Sequence, residues 1–153
     1  AGTSRGRGVA LLQLGLAKEA VEDFSDAISL APKDGTLRIQ RGEAHLAARA
    51  WKLAEADFDS AITLGAGGPT TLLGRGTARL RQGKAASALE DAEEAAKLKG
   101  MPPLQLVSLA RLFAQIAAHP EAAEQSRRCR DQGAALIARA LEATPAEQRP
   151  AFW

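Results

Sequence analysis

Small and apolar residues fall into columns when the chain is cut every 34 residues. Ala20, Ala54 and Ala88 form one column, and Ala27, Ala61 and Ala95 a second. Leu12, Leu46 and Leu80 form a third, and Leu30, Leu64 and Leu98 a fourth. Phe24 and Phe58 share a further position, which Ala92 takes in the third copy. Inside each stretch the pattern divides into two helical segments, predicting helices near residues 3–14, 18–30, 36–48, 52–64, 70–82 and 85–98. Breakers stand between them: Gly15, Pro32 with Gly35, the run from Gly65 to Pro69, Gly83, and Gly100 through Pro103.

The same phase carries glycine and charge. Arg7-Gly8, Arg41-Gly42 and Arg75-Gly76 recur 34 residues apart, and Asp23, Asp57 and Asp91 follow each Arg by 16 residues. Glycine and alanine at fixed places let two antiparallel helices approach where a larger side chain would hold them apart. The arginine falls on the first helix of each stretch and the aspartate on the second. We therefore expect structural ion pairs Arg7–Asp23, Arg41–Asp57 and Arg75–Asp91 between neighbouring helices, either within a unit or between adjacent units. The planar guanidinium fork matches a carboxylate. Such pairs, partly buried, fix packing geometry more than they add stability.

This unit resembles the tetratricopeptide repeat (TPR), which has small residues at the places of Gly8, Ala20 and Ala27, a large one at Phe24 and proline at Pro32. Gly42, Ala54, Phe58 and Ala61 carry the pattern into the second unit, and Gly76, Ala88 and Ala95 into the third, where Ala92 replaces the aromatic. His45 and Arg79 stand where the family usually has Tyr. The resemblance covers residues 1–102 and implies an all-α, right-handed superhelical solenoid of antiparallel helix pairs. Units are expected at about 1–34, 35–68 and 69–102, with an altered fourth at 103–145 and a tail at 146–153, all in one domain. In the fourth unit, Leu106, Leu109, Ala110 and Phe113 take the family's core places on a first helix. Its second helix regains register through an insertion of 11 residues, about three helical turns, if Pro145 closes the unit. The expectation is an elongated helix from about 121 to 143, with Phe152 and Trp153 either a cap or a junction. This long last unit and its ending resemble C-terminal segments of large bacterial multidomain TPR proteins.

Composition agrees with a helical globular chain: hydrophobic residues are 46%, charged residues 25% and aromatics 4%, with no Tyr. A net charge of +2 is too small for a nucleic-acid binder. The run Arg127-Arg128-Cys129-Arg130 reads as a solvated helix face. No segment approaches the apolar length of a membrane span. Cys129 is the sole cysteine, so the fold needs no oxidising compartment, and a cytoplasmic location is favoured. The chain begins Ala1-Gly2 with its one methionine at Met101, and reads as a piece of something longer.

No catalytic, metal or cofactor constellation emerges. His45 sits mid-helix and reads as packing or partly exposed rather than catalytic, and His119 precedes Pro120 at a helix boundary. Ser126 and Cys129 lack a placed base. The stretch from Gly65 to Thr71 lacks the Gly-Lys-Ser/Thr ending of a phosphate loop and reads as a turn between units.

The resemblance instead implies a concave surface lined by the first helix of each unit. Its residues would be Arg5, Val9, Leu12 and Gln13, then Ile39, Glu43 and Leu46, then Leu73, Thr77 and Arg81, with Arg111 from the fourth unit. Leu12, Leu46 and Leu80 read equally as groove or as core. The family's pattern for gripping a C-terminal carboxylate is not met, because Arg5, Val9, Gln40, Thr70 and Gly74 occupy its positions. The function expected is a non-enzymatic protein-interaction module for a peptide or partner protein with apolar anchors and some negative charge. Two other readings stand beside it: a structural or regulatory arm of a larger kinase or protease, and self-association through the terminal helices.

Overall fold

The structure, a computed structural model, describes residues 2–145. The tail expected at 146–153, and the capping role weighed for Phe152 and Trp153, lie outside the described residues. Among the described residues eight α-helices follow one another: α1 Gly2–Gln13, α2 Ala17–Leu30, α3 Gly35–Ala47, α4 Trp51–Thr63, α5 Pro69–Arg81, α6 Ala85–Lys97, α7 Pro103–Ala117 and α8 Ser126–Ala143. They pack as four pairs in chain order, and each pair also packs on the next through α2 with α3, α4 with α5 and α6 with α7. The first helices of successive pairs touch as well.

The turn inside each of the first three pairs is the same structure three times. Leu16 N–H donates to the Leu11 carbonyl at 2.9 Å, Ala50 to His45 at 2.8 Å and Lys84 to Arg79 at 3.0 Å. This bond closes the end of the first helix and needs a left-handed residue just before it. Gly15 and Gly83 fill that place at φ +79° and +80°, while Arg49 fills it at φ +58°.

Aromatic rings on the second helices fill the gaps that glycines leave on the first. The Phe24 ring lies where a β-carbon on Gly8 would stand. The Phe58 ring meets both Gly42 of its own pair and Gly74 of the next, and is fully buried. In the third pair Ala92 leaves the ring's space open, and Leu112 reaches in from α7 to lie against Gly76. The loss of the aromatic is thus offset by a larger residue from the following pair, and close packing is kept. The largest core cluster joins α5 to α8 through Leu72, Ala88, Leu106, Leu109, Phe113, Ile116 and Leu136.

The last helix is elongated, but it starts at Ser126 rather than near residue 121. Between α7 and α8 the chain makes a single 3-10 turn, Pro120–Ala122. His119 precedes it and its Nδ1 accepts a bond from Glu121 N–H at 3.4 Å. Two contacts hold this break. Ala122 is buried in the core, and the Ser126 hydroxyl donates to the Ala117 carbonyl at 2.9 Å, closing the end of α7.

Candidate interaction surface

The phased arginines do more than pair within their own unit. Arg7 Nε donates to Asp23 Oδ2 at 2.6 Å, and its Nη2 takes Oδ1 of the same carboxylate. Arg41 does the same with Asp57, at 2.8 and 2.6 Å. Arg75 binds Asp91 through Nε and Nη2, the latter at 2.6 Å. Each aspartate is buried on a second helix and each arginine reaches it from the first, so the fork fixes how far the two helices slide past one another. The guanidinium of Arg7 holds the Asp23 carboxyl below the usual carboxylate range.

A second arm reaches backward. Arg41 Nη1 donates to Ser25 Oγ at 3.1 Å, and Arg75 Nη1 to Asp59 Oδ1 at 2.8 Å. Ser25 and Asp59 lie 16 residues before their arginines, on the second helix of the preceding pair. Each of these arginines therefore joins three helices. The backward spacing is present in the sequence beside the forward one, but Ser25 and Asp59 differ in type, so no column of identical residues marks it.

Between the second and third pairs the contact grows into a network. Arg79, standing where the repeat usually has Tyr, donates to Glu55 Oε1 at 2.9 Å and to Asp91 at 3.0 Å. Gln82 and Lys84 add bonds to Glu55 Oε2 at 2.8 and 2.6 Å. Burial would raise the Glu55 carboxyl, but hydrogen bonds from Lys84, Gln82 and Arg79 outweigh it and hold the pKa down at about 2. In the sequence Arg79 stands out only as a departure from the repeat, and Gln82 and Lys84 carry no signal, because the pattern occurs once.

The residues expected to line a concave face divide into two groups. Val9, Leu12, Ile39, Leu46 and Leu73 are half-buried and pack against core clusters, as does Leu80. Arg5, Gln13, Glu43, Arg81 and Arg111 are exposed. Thr77 is half-buried and its hydroxyl donates to the Leu73 carbonyl of its own helix at 2.8 Å. Three members come together: Thr77, Arg81 and Arg111 line a cleft of about 260 Å³ between α5 and α7 with Ser108, Leu112 and Gln115. Arg81 also lies 6.0 Å from the centre of the Trp51 ring. Arg5, Val9, Leu12 and Gln13 lie on α1, away from this cleft. Glu43 is exposed, yet the protein around it desolvates its carboxyl and raises its pKa.

The side chains weighed for chemistry are engaged elsewhere. His45 is buried, 3.6 Å from Asp57, and burial lowers its pKa, so it is neutral at pH 7. Cys129 is buried, and burial raises its thiol pKa. In the basic run around it, Arg128 pairs with Glu93 at 2.7 Å and Arg130 donates to Ser126 Oγ at 2.6 Å. Among the described residues no group of three or more His, Cys, Asp or Glu could hold a metal ion, and no helix is long and apolar enough to cross a membrane.

No protein-family model and no curated protein matches the sequence. Two solved structures resemble the fold. The crystal structure of MamA matches with a TM-score of 0.68 at 18% identity, over 93% of this chain and 77% of that one. YrrB, described as a TPR protein with an unusual peptide-binding site, matches with a TM-score of 0.60 at 13% identity, over 94% of this chain and 86% of that one. With its paired antiparallel helices, its glycine–aromatic contacts and these structural neighbours, the chain has the tetratricopeptide-repeat fold: an all-α solenoid whose last helix is elongated.

Proposed function

We propose that this chain is a protein–protein interaction module that takes a peptide across its first helices, α1, α3, α5 and α7. Its units are read at about 1–34, 35–68, 69–102 and 103–145. The observation that carries the reading is the cleft between α5 and α7, where two exposed arginines, Arg81 and Arg111, flank Thr77 and Leu112. Arginines with open donors beside an apolar floor favour a peptide with an acidic residue next to an apolar anchor. That YrrB is a peptide-binding protein on the same fold supports the reading. A protein partner is favoured over nucleic acid because Arg7, Arg41, Arg75 and Arg79 are tied to carboxylates and the net charge is +2.

The half-buried leucines give the groove a shallow apolar floor, and the exposed polar residues would set its specificity. Selection of peptides from a displayed random library against the chain, followed by anisotropy titration of the winners, tests this. Winners should carry Asp or Glu beside an apolar residue and lose roughly tenfold or more in affinity against Arg81→Glu or Arg111→Glu. Winners that bind both charge-reversed variants as tightly as the parent would place the site elsewhere.

A further inference from the structure

Three residues break the repeat together at one place. Trp51 stands where the other pairs have Ala17 and Ala85, Leu53 where they have Glu19 and Ser87, and Arg81 where they have Gln13, Ala47 and Gln115. A residue that the stacking of pairs required would recur with the 34-residue phase, and these do not. Arg49 is a fourth departure: it puts a cation where the turns of the first and third pairs have Gly15 and Gly83.

The four meet in space. With Lys52 they line a second cleft, of about 400 Å³, between the turn from α3 to α4 and the end of α5. Leu53 is 57% exposed and Trp51 half-buried, so the cleft has apolar walls open to solvent. Arg49, Lys52 and Arg81 are exposed, and among the described residues none of them is in an ion pair. Glu55, on the same helix as Trp51, is already held by Arg79, Gln82 and Lys84. The place lies inside the array, with α1 and α2 before it and α6 to α8 after it, so it is a junction between stacked pairs rather than an end.

Arg81 belongs to both clefts. On one side its guanidinium lies 6.0 Å from the centre of the Trp51 ring, and on the other it lines the cleft between α5 and α7 with Arg111. In an extended peptide, side chains at i and i+2 share a face and stand about 6.6 Å apart. A carboxylate on Arg81 therefore sets the side chain two positions away against Trp51 and Leu53. We propose that the peptide groove continues past Arg81 into this second cleft, and that the partner peptide carries a large apolar residue two positions before or after the acidic residue held by Arg81 and Arg111. Three unpaired cations around an apolar wall complement such a peptide, and an aromatic ring stacks best on Trp51. The inference rests on the peptide reading of the α5–α7 cleft and adds to it a second anchor and a spacing.

Parallel selections from one displayed random peptide library, against the full chain and against its Trp51→Ala variant, test this. Winners on the parent should carry Phe, Tyr, Trp or Leu two positions from Asp or Glu, and winners on Trp51→Ala should keep the acid and lose that residue. Replacing the apolar residue of a parent winner by Ala should weaken binding roughly tenfold on the parent and less than about twofold on Trp51→Ala, read by anisotropy. Trp51→Ala installs the residue found at Ala17 and Ala85, in the first turn of α4. Leu53→Glu, at an exposed site whose equivalent is Glu19, should abolish the same preference with Trp51 in place. Winners weakened by Arg111→Glu but indifferent to Trp51→Ala and Leu53→Glu would leave the groove standing and overturn its extension. Winners that lack an acid or ignore Arg111→Glu would overturn both. A dimer of the chain that Leu53→Glu dissolves in light scattering, or binding of an oligothymidylate that Trp51→Ala abolishes, would give the cleft another occupant and overturn the proposal as well.

Discussion

The ring of Phe58 lies against Gly74 of the following helix pair so closely that a β-carbon there would overlap it. Gly42 of its own pair meets the same ring from another side, at 3.0 Å from where a β-carbon would be. The ring is fully buried and held between two backbones, so it cannot swing aside. Gly74→Ala should therefore destabilise the domain by about 2 kcal/mol through overpacking, despite alanine's better helix propensity. Gly6, also in a helix, has open space around its missing side chain, and Gly6→Ala should instead stabilise by about 0.5–1 kcal/mol. Urea midpoints of the two variants against the parent separate these signs.

Asp91 is buried beneath two arginines, Arg75 and Arg79. Its removal in Asp91→Ala leaves both half-buried guanidinium groups short of their acceptor, and should cost about 3 kcal/mol. Asp59 is 48% exposed and touches only the backward arm of Arg75 and the edge of Arg79. A double-mutant cycle between Arg75 and Asp59 should return a coupling of only about 0.5 kcal/mol. Chemical denaturation of the four chains of that cycle, with Asp91→Ala beside them, measures both.

Glu55 gives the junction between the second and third pairs a pH dependence. Its folded pKa, about 2, lies below the ordinary glutamate value of 4.5. The folded state thus prefers the ionised form, so the contribution is complete above pH 4.5 and is lost as the pH falls toward 2. The contribution is on the order of 2 kcal/mol after solvent screening of the bonds from Lys84 and Gln82. Glu55→Gln should flatten that part of the stability–pH curve, read by thermal unfolding between neutral and acid pH. An acid limb unchanged by the substitution would remove the network from the account.

Arg49 holds a left-handed backbone where the equivalent turns use Gly15 and Gly83. A residue with a β-carbon carries strain there, while glycine carries a larger loss of freedom on folding. Arg49 is exposed and the strain exceeds the entropy difference, so Arg49→Gly should stabilise by about 0.5–1 kcal/mol in denaturant titration.

Cys129 is buried between α7 and α8, and burial keeps its thiol protonated. Its reaction with a disulfide reagent should be slower than that of a free thiol by a factor that tracks local opening of the α7–α8 pair. Labelling rates across a urea series, compared with circular dichroism, show whether that pair opens with the whole domain or ahead of it.

Much of this architecture is written in the sequence because its causes are local and periodic. A residue every 34 positions, small where helices touch and apolar where they bury, needs no knowledge of distant parts to be read. The helices, the turns at Gly15 and Gly83 and the phase of Arg7 with Asp23 follow from that pattern. Where the pattern lapses, the reading slips: past residue 120 the apolar spacing permits an unbroken helix, and only the burial of Ala122 with the bond from Ser126 to Ala117 breaks it.

Tertiary structure decided what spacing leaves open. A long arginine on a helix can reach forward, backward or into solvent, and the packing angle between pairs gave Arg75 both Asp91 and Asp59. It also set how deep the leucine column lies: Leu12, Leu46 and Leu80 are half-buried against the core clusters, a depth that depends on how closely the glycines let the helices approach. The arginines that mark the repeat thus belong to its framework, while Arg81 and Arg111 stay exposed beside the cleft between α5 and α7. Periodicity fixes which residues are equivalent; the environment of each, set by neighbours far along the chain, fixes what it does.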